Sequence, residues 1–341
     1  MAKGVFTPTN LAEIQVKLEQ MWKDPQYAKF YTPRGETTKA IIENQTAEFP
    51  ELKDPSKDRE IAVKWADFCD QTAVTETNAD VCVLDDCDEP DPKTKTYANN
   101  TFLSDCYTIS EDDYQKSVLS MEETIAKGMM AKIRNIVELL NTKVIAVLDA
   151  NTGVNPLAGS DPFEEMVDGD TPVQKQNFTI DELYPAWAEM LALLRSNNTF
   201  LLDGRNLFQQ RIRAMKNALN SDGKLEDALL DMFPYYNDIL GFANAGVTDK
   251  TYMIDAGAVA LQSRQKWPRI PEEISGDRTR WSMDLPGYPG LGLDVMYQQK
   301  CVNGGEVFTW KYKFRGLIAV NPILCDAGNT GIWSFANVPN V

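Results

Sequence analysis

Histidine is absent from all 341 residues. Without imidazole there is no Ser-His-Asp or Cys-His arrangement, no His-rich metal site and no general base with an unperturbed pKa near neutrality. Any catalysis would have to run on Asp, Glu, Lys, Tyr or Cys alone. Cations are scarce: 34 Lys and Arg against 50 Asp and Glu leave a formal charge of −16, which opposes close, sequence-independent binding to phosphate backbones. Long apolar runs are missing too. No window approaches ~18 uninterrupted apolar residues, and "MAKGVFTPTNLAEIQ" has no apolar core of signal-peptide length behind Lys3. The expectation is a protein made and kept in a cytoplasm, away from membranes. Six cysteines (Cys69, Cys82, Cys87, Cys106, Cys301 and Cys325) are too few for a disulfide scaffold of the small secreted kind, so reduced thiols are expected.

What is present reads as an α+β chain. "NLAEIQVKLEQMW" begins with a capping box, Asn10 and Glu13, and places Leu11, Ile14, Leu18, Met21 and Trp22 on one helical face. The following stretch, residues 31–60, is polar, broken by Pro33, Pro50 and Pro55, and shows no sustained period, which predicts an extended connector. From Glu60 to Thr108 short β-prone runs alternate with polar turns, predicting a long hairpin or sheet arm. Ser110 to Asp113 is a capping signature, and apolar residues at three- and four-residue spacing then predict one continuous helix to Asp149, with Ile125, Ile133, Ile136 and Leu140 on its stripe. Helices and strands alternate from 179 to 265, predicting a compact α+β unit that contains a single alternating strand from Tyr252 to Leu261. The last third is β-rich. "GLDVMYQQKCV" and "EVFTWKYKFRGLIAV" flank a turn at Asn303, Gly304 and Gly305, and Phe308, Trp310, Tyr312 and Phe314 form an aromatic row on one face. That row needs an apolar cover, and the long helix is the candidate.

No constellation selects a reaction. Cys69, Cys82, Cys87 and Cys106 are spaced C-x12-C-x4-C-x18-C, which lacks the tight pairs of a strong zinc site and favours small buried thiols. "DDCDEPD" lacks the ligand alternation and central glycine of an EF-hand loop and reads as a solvated acidic turn. Asp149, Asp203, Asp231, Asp255 and Asp294 could supply a carboxylate pair, but no spacing selects one. "VDGDTPVQ" has neither the glycines nor the Lys-Ser/Thr end of a P-loop. The cations Arg205, Arg211, Arg213 and Lys216 favour contact with a neighbouring subunit over nucleic acid on a chain this acidic. Seven tryptophans are spread from end to end, as core and interface packing requires. No catalytic residue, cofactor or metal is therefore assigned. Trp65, Phe68 and Tyr97 lie on the hairpin strands without enough local chain to cover them, which predicts that residues 61–107 pack on an adjacent subunit.

The order of these parts resembles the major capsid protein of tailed bacteriophages, the Hong Kong 97-type fold. Three stretches carry the likeness: "FPYYNDILGFANAGVTDKTYMIDAGAVALQSR" is similar to that family's axial-domain segment, "FTWKYKFRGLIAVNPILC" to its closing peripheral strand, and Ser110 to Ala150 to its spine helix. The resemblance implies an N-terminal arm and connector over 1–59, an extended hairpin loop over 60–108 and a peripheral domain with the spine helix over 109–177. It implies an axial domain over 178–295 and returning peripheral strands over 296–341. It further implies a non-enzymatic shell protein that builds hexamers and pentamers of an icosahedral head around double-stranded DNA, with itself and portal, scaffold or decoration proteins as partners. The turn at Asn220 to Gly223 would lie near a ring axis, with Glu226 and Asp227 meeting the cations Arg205, Arg211, Arg213 and Lys216 of a neighbour. No N-terminal scaffolding region is evident in the first hundred residues. Two alternatives stand beside this reading: an encapsulin-like compartment shell holding cargo protein, and a His-free hydrolase using the scattered aspartates.

Overall fold

A computed structural model of the chain describes residues 8–25, 27, 34–45, 60–67, 91–111, 113, 121–152, 164–167, 171–174, 180–194, 198–205, 235–248, 250–288, 290–302, 304–320 and 330–336. The amphipathic period of the N-terminal segment forms α1 (Pro8–Lys23), which buries Ile14, Leu18 and Met21. The stretch expected to be an extended connector contains a helix instead, α2 (Glu36–Asn44). Strands β1 (Glu60–Asp67) and β2 (Asp91–Ala98) form an antiparallel ladder of their own, from Glu60 opposite Ala98 to Asp67 opposite Asp91. The expected hairpin thus ends near Ala98. The next strand, β3 (Thr101–Ser110), pairs elsewhere.

The long helix α3 runs from Met121 to Ala150. Ahead of it β3 ends on Ser110, whose Oγ exchanges hydrogen bonds with Asp113 as the expected cap, and Glu111 and Asp113 are helical; residues 114–120 of the expected helix lie outside the described residues. A short hairpin follows, β4 (Glu164–Val167) with β5 (Thr171–Gln174). Then come α4 (Ile180–Leu194), β6 (Thr199–Asp203), β7 (Tyr235–Asn237) and the seven-residue α5 (Ile239–Ala245). The remaining strands are β8 (Lys250–Asp255), β9 (Val259–Ser263), β10 (Glu272–Ser275), β11 (Arg278–Asp284), β12 (Gly292–Val302), β13 (Gly305–Val320) and β14 (Ile332–Ala336).

Two larger sheets organise the body. One has the order β10-β11-β12-β13-β3, with β9 also on β13; the other has the order β14-β8-β6-β7. The long strand β13 is shared along its length, Val307–Gly316 pairing with β3 and Gly316–Val320 with β9. This topology corrects three expectations. Residue 295 falls inside β12, so a domain boundary there would cut a strand. Tyr252 to Leu261 is two strands in different sheets, separated by a turn in which Gly257 takes φ 85°, a conformation that favours glycine. The chain's last described strand, β14, joins β8 in the smaller sheet rather than the returning β12–β13 hairpin.

The core follows from these layers. Ile125, Ile133, Ile136 and Leu140 of α3 share one buried cluster with Phe308, Trp310, Tyr312 and Phe314 of β13. The helix lies on β3 and β13, and its other sides meet α1, α2 and α5. Alternation in the smaller sheet sends Phe200, Leu202, Tyr252 and Ile254 to this cluster. It sends Leu201, Met253, Trp333 and Phe335 to a second cluster beneath α4, with Trp187 and Met190. Both faces of that sheet are therefore covered, which is why Tyr252, Met253 and Ile254 are all buried in succession.

Candidate assembly surface

Two polar nodes hold the frame from which outward-facing residues project. In the first, α2 begins at Gly35, which has no side chain to cap the helix. The amide of Thr37 instead donates to Asp238 Oδ2 at 3.2 Å, and the amide of Thr38 donates to Asn141 Oδ1 at 2.9 Å. The two threonine hydroxyls repeat these contacts at 2.8 and 2.9 Å. Asn141 Nδ2 donates to Asp238 Oδ2 at 2.6 Å, and Asp238 Oδ1 accepts from Gly241 N at the start of α5. One buried carboxylate thus caps two helices, where anionic groups complement the helix dipoles. Asp238 was not singled out in the sequence, although an aspartate directly ahead of Ile239 is a residue type that favours a helix N-cap. Thr37, Thr38 and Asn141 carry no such signal, because their burial depends on partners 97 to 201 residues away.

In the second node, Asp149 near the end of α3 pairs with Lys250 and accepts from Tyr252 Oη at 2.8 Å. Burial pushes the Asp149 carboxyl up, but the hydrogen bonds from Lys250 and Tyr252, with the Lys250 charge, outweigh it and leave its pKa below the ordinary carboxylate value. Burial, then the Asp149 hydrogen bond, pushes the Tyr252 phenol well up. The other aspartates singled out in the sequence have partners of their own. Asp203 accepts from Thr251 Oγ1 at 2.5 Å, and Asp294 pairs with Arg315 and accepts from Ser282 Oγ at 2.5 Å. These partners make the carboxylates structural. Asp231 lies outside the described residues. Among the described residues no group of three or more His, Cys, Asp or Glu is placed to hold a metal, and no helix is long and apolar enough to cross a membrane.

The expected assembly residues divide. Tyr97 is 8% exposed, and burial pushes its phenol up to about 12. This corrects the expectation that Tyr97 covers a neighbour: the end of β2 meets β13, and its own chain buries it. The α1 face expected to belong to an outstretched arm is likewise covered by the chain's own α3, leaving Val16 54% exposed on the other side. Trp65 sits in β1 opposite Lys93; its side chain and Phe68 lie outside the described residues, as do Arg211, Arg213, Lys216, Asn220 to Gly223, Glu226 and Asp227. Arg205 is described and exposed just past β6. Cys106 and Cys301 are free and exposed, which corrects the expectation of a buried thiol for Cys106. Edge-strand geometry explains the first, since alternation in β3 sends Phe102, Ser104, Cys106 and Thr108 outward.

The outer face of the larger sheet follows from the same alternation. Lys311 and Lys313 of β13 are exposed, and neither makes an ion pair among the described residues. Cross-strand neighbours place Cys106 and Met296 beside Lys311, and Ser104 and Asp294 beside Lys313. Arg280 continues the Lys311 row beyond Met296 and pairs with Glu272 of β10. Phe102, opposite Arg315, is 54% exposed.

No protein-family model and no curated protein sequence matches the chain. Solved structures do. The capsid asymmetric unit of cyanophage A-1(L) aligns with a TM-score of 0.54 and 13% identity, covering 89% of this chain and 94% of that one. A structure of Mycobacterium phage Adephagia aligns with a TM-score of 0.47 and 13% identity, over 84% of this chain and 87% of that one. The capsid asymmetric unit of cyanophage Pam1 gives 0.45 and 9%, over 86% and 88%. The helix on a shared sheet, the detached hairpin and the smaller second sheet are the α+β fold of a phage capsid protein.

Proposed function

We propose that this chain is a major capsid protein that self-assembles into hexamers and pentamers of an icosahedral phage head and encloses double-stranded DNA. The observation that carries the reading is the alignment of nine-tenths of the chain with a cyanophage capsid subunit. Its physical complement is the β1–β2 ladder, which among the described residues is a two-stranded sheet of its own. Isolated two-stranded ladders are marginal in water and gain stability by lying against another surface. The negative charge suits a container wall that does not immobilise its DNA. Portal, scaffold or decoration proteins are the partners of such a shell, which assembles in the host cytoplasm and resides in the virion. At the ring axis, Arg205, Arg211, Arg213 and Lys216 of one copy meet Glu226 and Asp227 of the next.

Size and shape test the proposal. The purified chain is expected to form capsomers or particles of megadalton mass, seen as closed shells in negative-stain micrographs. A small soluble oligomer at every ionic strength would refute it. Shells filled with a cargo protein and devoid of nucleic acid would assign the chain to a compartment instead.

A further inference from the structure

The two edges of the larger sheet are unlike. At one end β10 is only four residues long, follows Pro271, carries Glu272 and Glu273 side by side, and slips register between Glu273 and Ser275. Each of these features discourages a further strand from pairing there. At the other end β3 runs ten residues, with no proline and no shift in its register against β13. Hydrogen bonding fixes which of its backbone groups point outward. On β13, Ile318 N and Gly316 O bond to Asn100 on the β3 side, whereas Arg315 O accepts from Arg264 N on the opposite side. Even-numbered residues of β13 therefore face β3 and pair with its odd-numbered ones, so Phe102, Ser104, Cys106 and Thr108 turn their N–H and C=O groups to the edge. The amide of Cys106 donates to Asp105 Oδ1 at 2.7 Å. Among the described residues the other three have no hydrogen bond on that side, and all four side chains are exposed.

We infer that the edge of β3 accepts an extended acidic segment of a separate protein, which adds to the larger sheet as an antiparallel strand. Alternating N–H and C=O groups recognise a peptide backbone, not a row of phosphates, which only accept. The neighbouring side chains set the charge of the occupant. Ser104 and Cys106 are small and lie between the edge and Lys313 and Lys311, which are exposed and have no ion pair among the described residues. An added strand lies about 9.6 Å from β13, two strand spacings away. A lysine stem and a glutamate stem close that gap from either side, over the small residues. Carboxylates at alternate positions of the added strand thus meet both lysines, and an apolar residue beyond them meets Phe102, which is 54% exposed. A second copy pairing through the same edge would bring its own Lys311 and Lys313 towards these two, and like charge disfavours that occupant. One chain carries the whole site, so its occupancy does not depend on assembly.

The probe is a fluorescein-labelled peptide, Thr-Glu-Thr-Glu-Thr-Val-Thr. Antiparallel to β3 it sets its glutamates opposite Cys106 and Ser104 and its valine opposite Phe102. Fluorescence anisotropy with the full chain at low salt should show binding. Affinity should fall about tenfold or more when lysines replace the glutamates, and again when the two glutamate amides are N-methylated, which removes hydrogen bonds but no charge. Binding should slow hydrogen exchange at Phe102, Ser104 and Thr108. Lys311→Gln with Lys313→Gln should weaken binding about tenfold, and Ser104→Pro, which removes an outward N–H without touching the β3–β13 ladder, should abolish it. The N-methyl arm requires no substitution, so the decision does not depend on a variant folding. Equal affinity for the N-methylated peptide would reduce the face to a patch of cations and overturn the inference. So would no measurable binding, or protection confined to other strands. Tighter binding of duplex DNA than of the peptide at the same salt would assign the lysines to a polyanion, and Cys106 to Cys106 disulfides between free chains would assign the edge to a second copy; either would overturn it too. Each of these results leaves the capsid reading, which particle formation tests, as it is.

Discussion

Replacing Asn141 by Leu tests whether the buried polar node holds the N-terminal helices to the spine. The side chains are similar in size, and position 141 is fully buried in α3, so the change adds apolar contact while removing one acceptor and one donor. Thr38 then has a buried amide and a buried hydroxyl whose acceptor, Asn141 Oδ1 at 2.9 Å from each, is gone. An orphaned buried donor costs about 1–3 kcal/mol. Two of them cost about 4 kcal/mol at mid-range, and an apolar gain of about 1.5 kcal/mol leaves a net loss of about 2.5 kcal/mol. Asp238 keeps Thr37 and Gly241, so the loss is confined to the α2 contact. The assay is hydrogen exchange of the amides of residues 36–44 in the unassembled chain. If they open by local detachment of α2, exchange should accelerate about tenfold to a thousandfold. Thr38→Val removes only the hydroxyl and should cost about 1 kcal/mol. The double variant has one orphan fewer than Asn141→Leu and should be no less stable than it. Unchanged exchange in Asn141→Leu, or a double variant that loses the full sum of both, would refute the reasoning.

Two further outcomes follow from contacts elsewhere on α3. Lys250→Met removes the cation beside Asp149 across a pair whose side chains are about one-third exposed, so the neutral-pH cost is no more than about 1 kcal/mol. Because the folded carboxyl lies below its ordinary value of 3.8, its contribution is present above that pH and lost as pH falls through the folded value. The gap between wild type and variant in urea midpoint should therefore close under acid, and a gap undiminished at strongly acidic pH would reject the linkage. Gly128→Ala would ordinarily stabilise a helix interior by about 1 kcal/mol. Here the added Cβ would meet the Tyr107 ring at 2.5 Å, so the melting temperature of the unassembled chain should fail to rise, and a clear rise would show that the ring moves aside without cost.

The elements that were legible in the sequence are those whose signal is local. Strict alternation from Phe308 to Phe314 determined which side of β13 is buried, and a turn carrying Gly304 with φ 82° closes the β12–β13 hairpin where expected. Three- and four-residue spacing marked α3 and α1 for the same reason. A periodic stripe states that a face is covered but not what covers it, and there the reading of α1 went wrong. Ile14, Leu18 and Met21 find their cover on α3 of the same chain. Tyr97 is the same error in a strand. Helix α2 left no such trace, since Thr37 and Thr38 are buried by hydrogen bonding and read as polar in any hydrophobic period.

Sheet membership is the remaining nonlocal variable, and it bears directly on how the chain can deform. Strands β8 and β9 are separated by only a short turn yet belong to different sheets, and β13 and β14 divide in the same way. The two sheets are thus stitched by two covalent crossings and by α3, whose stripe packs on one sheet while Asp149 ties its end to Lys250 and Tyr252 in the other. A rigid-body rotation of one sheet against the other would have to break that ion pair, bend α3 or strain the turn at Gly257, where φ is 85°. The smaller sheet is accordingly held at a set angle to the larger one.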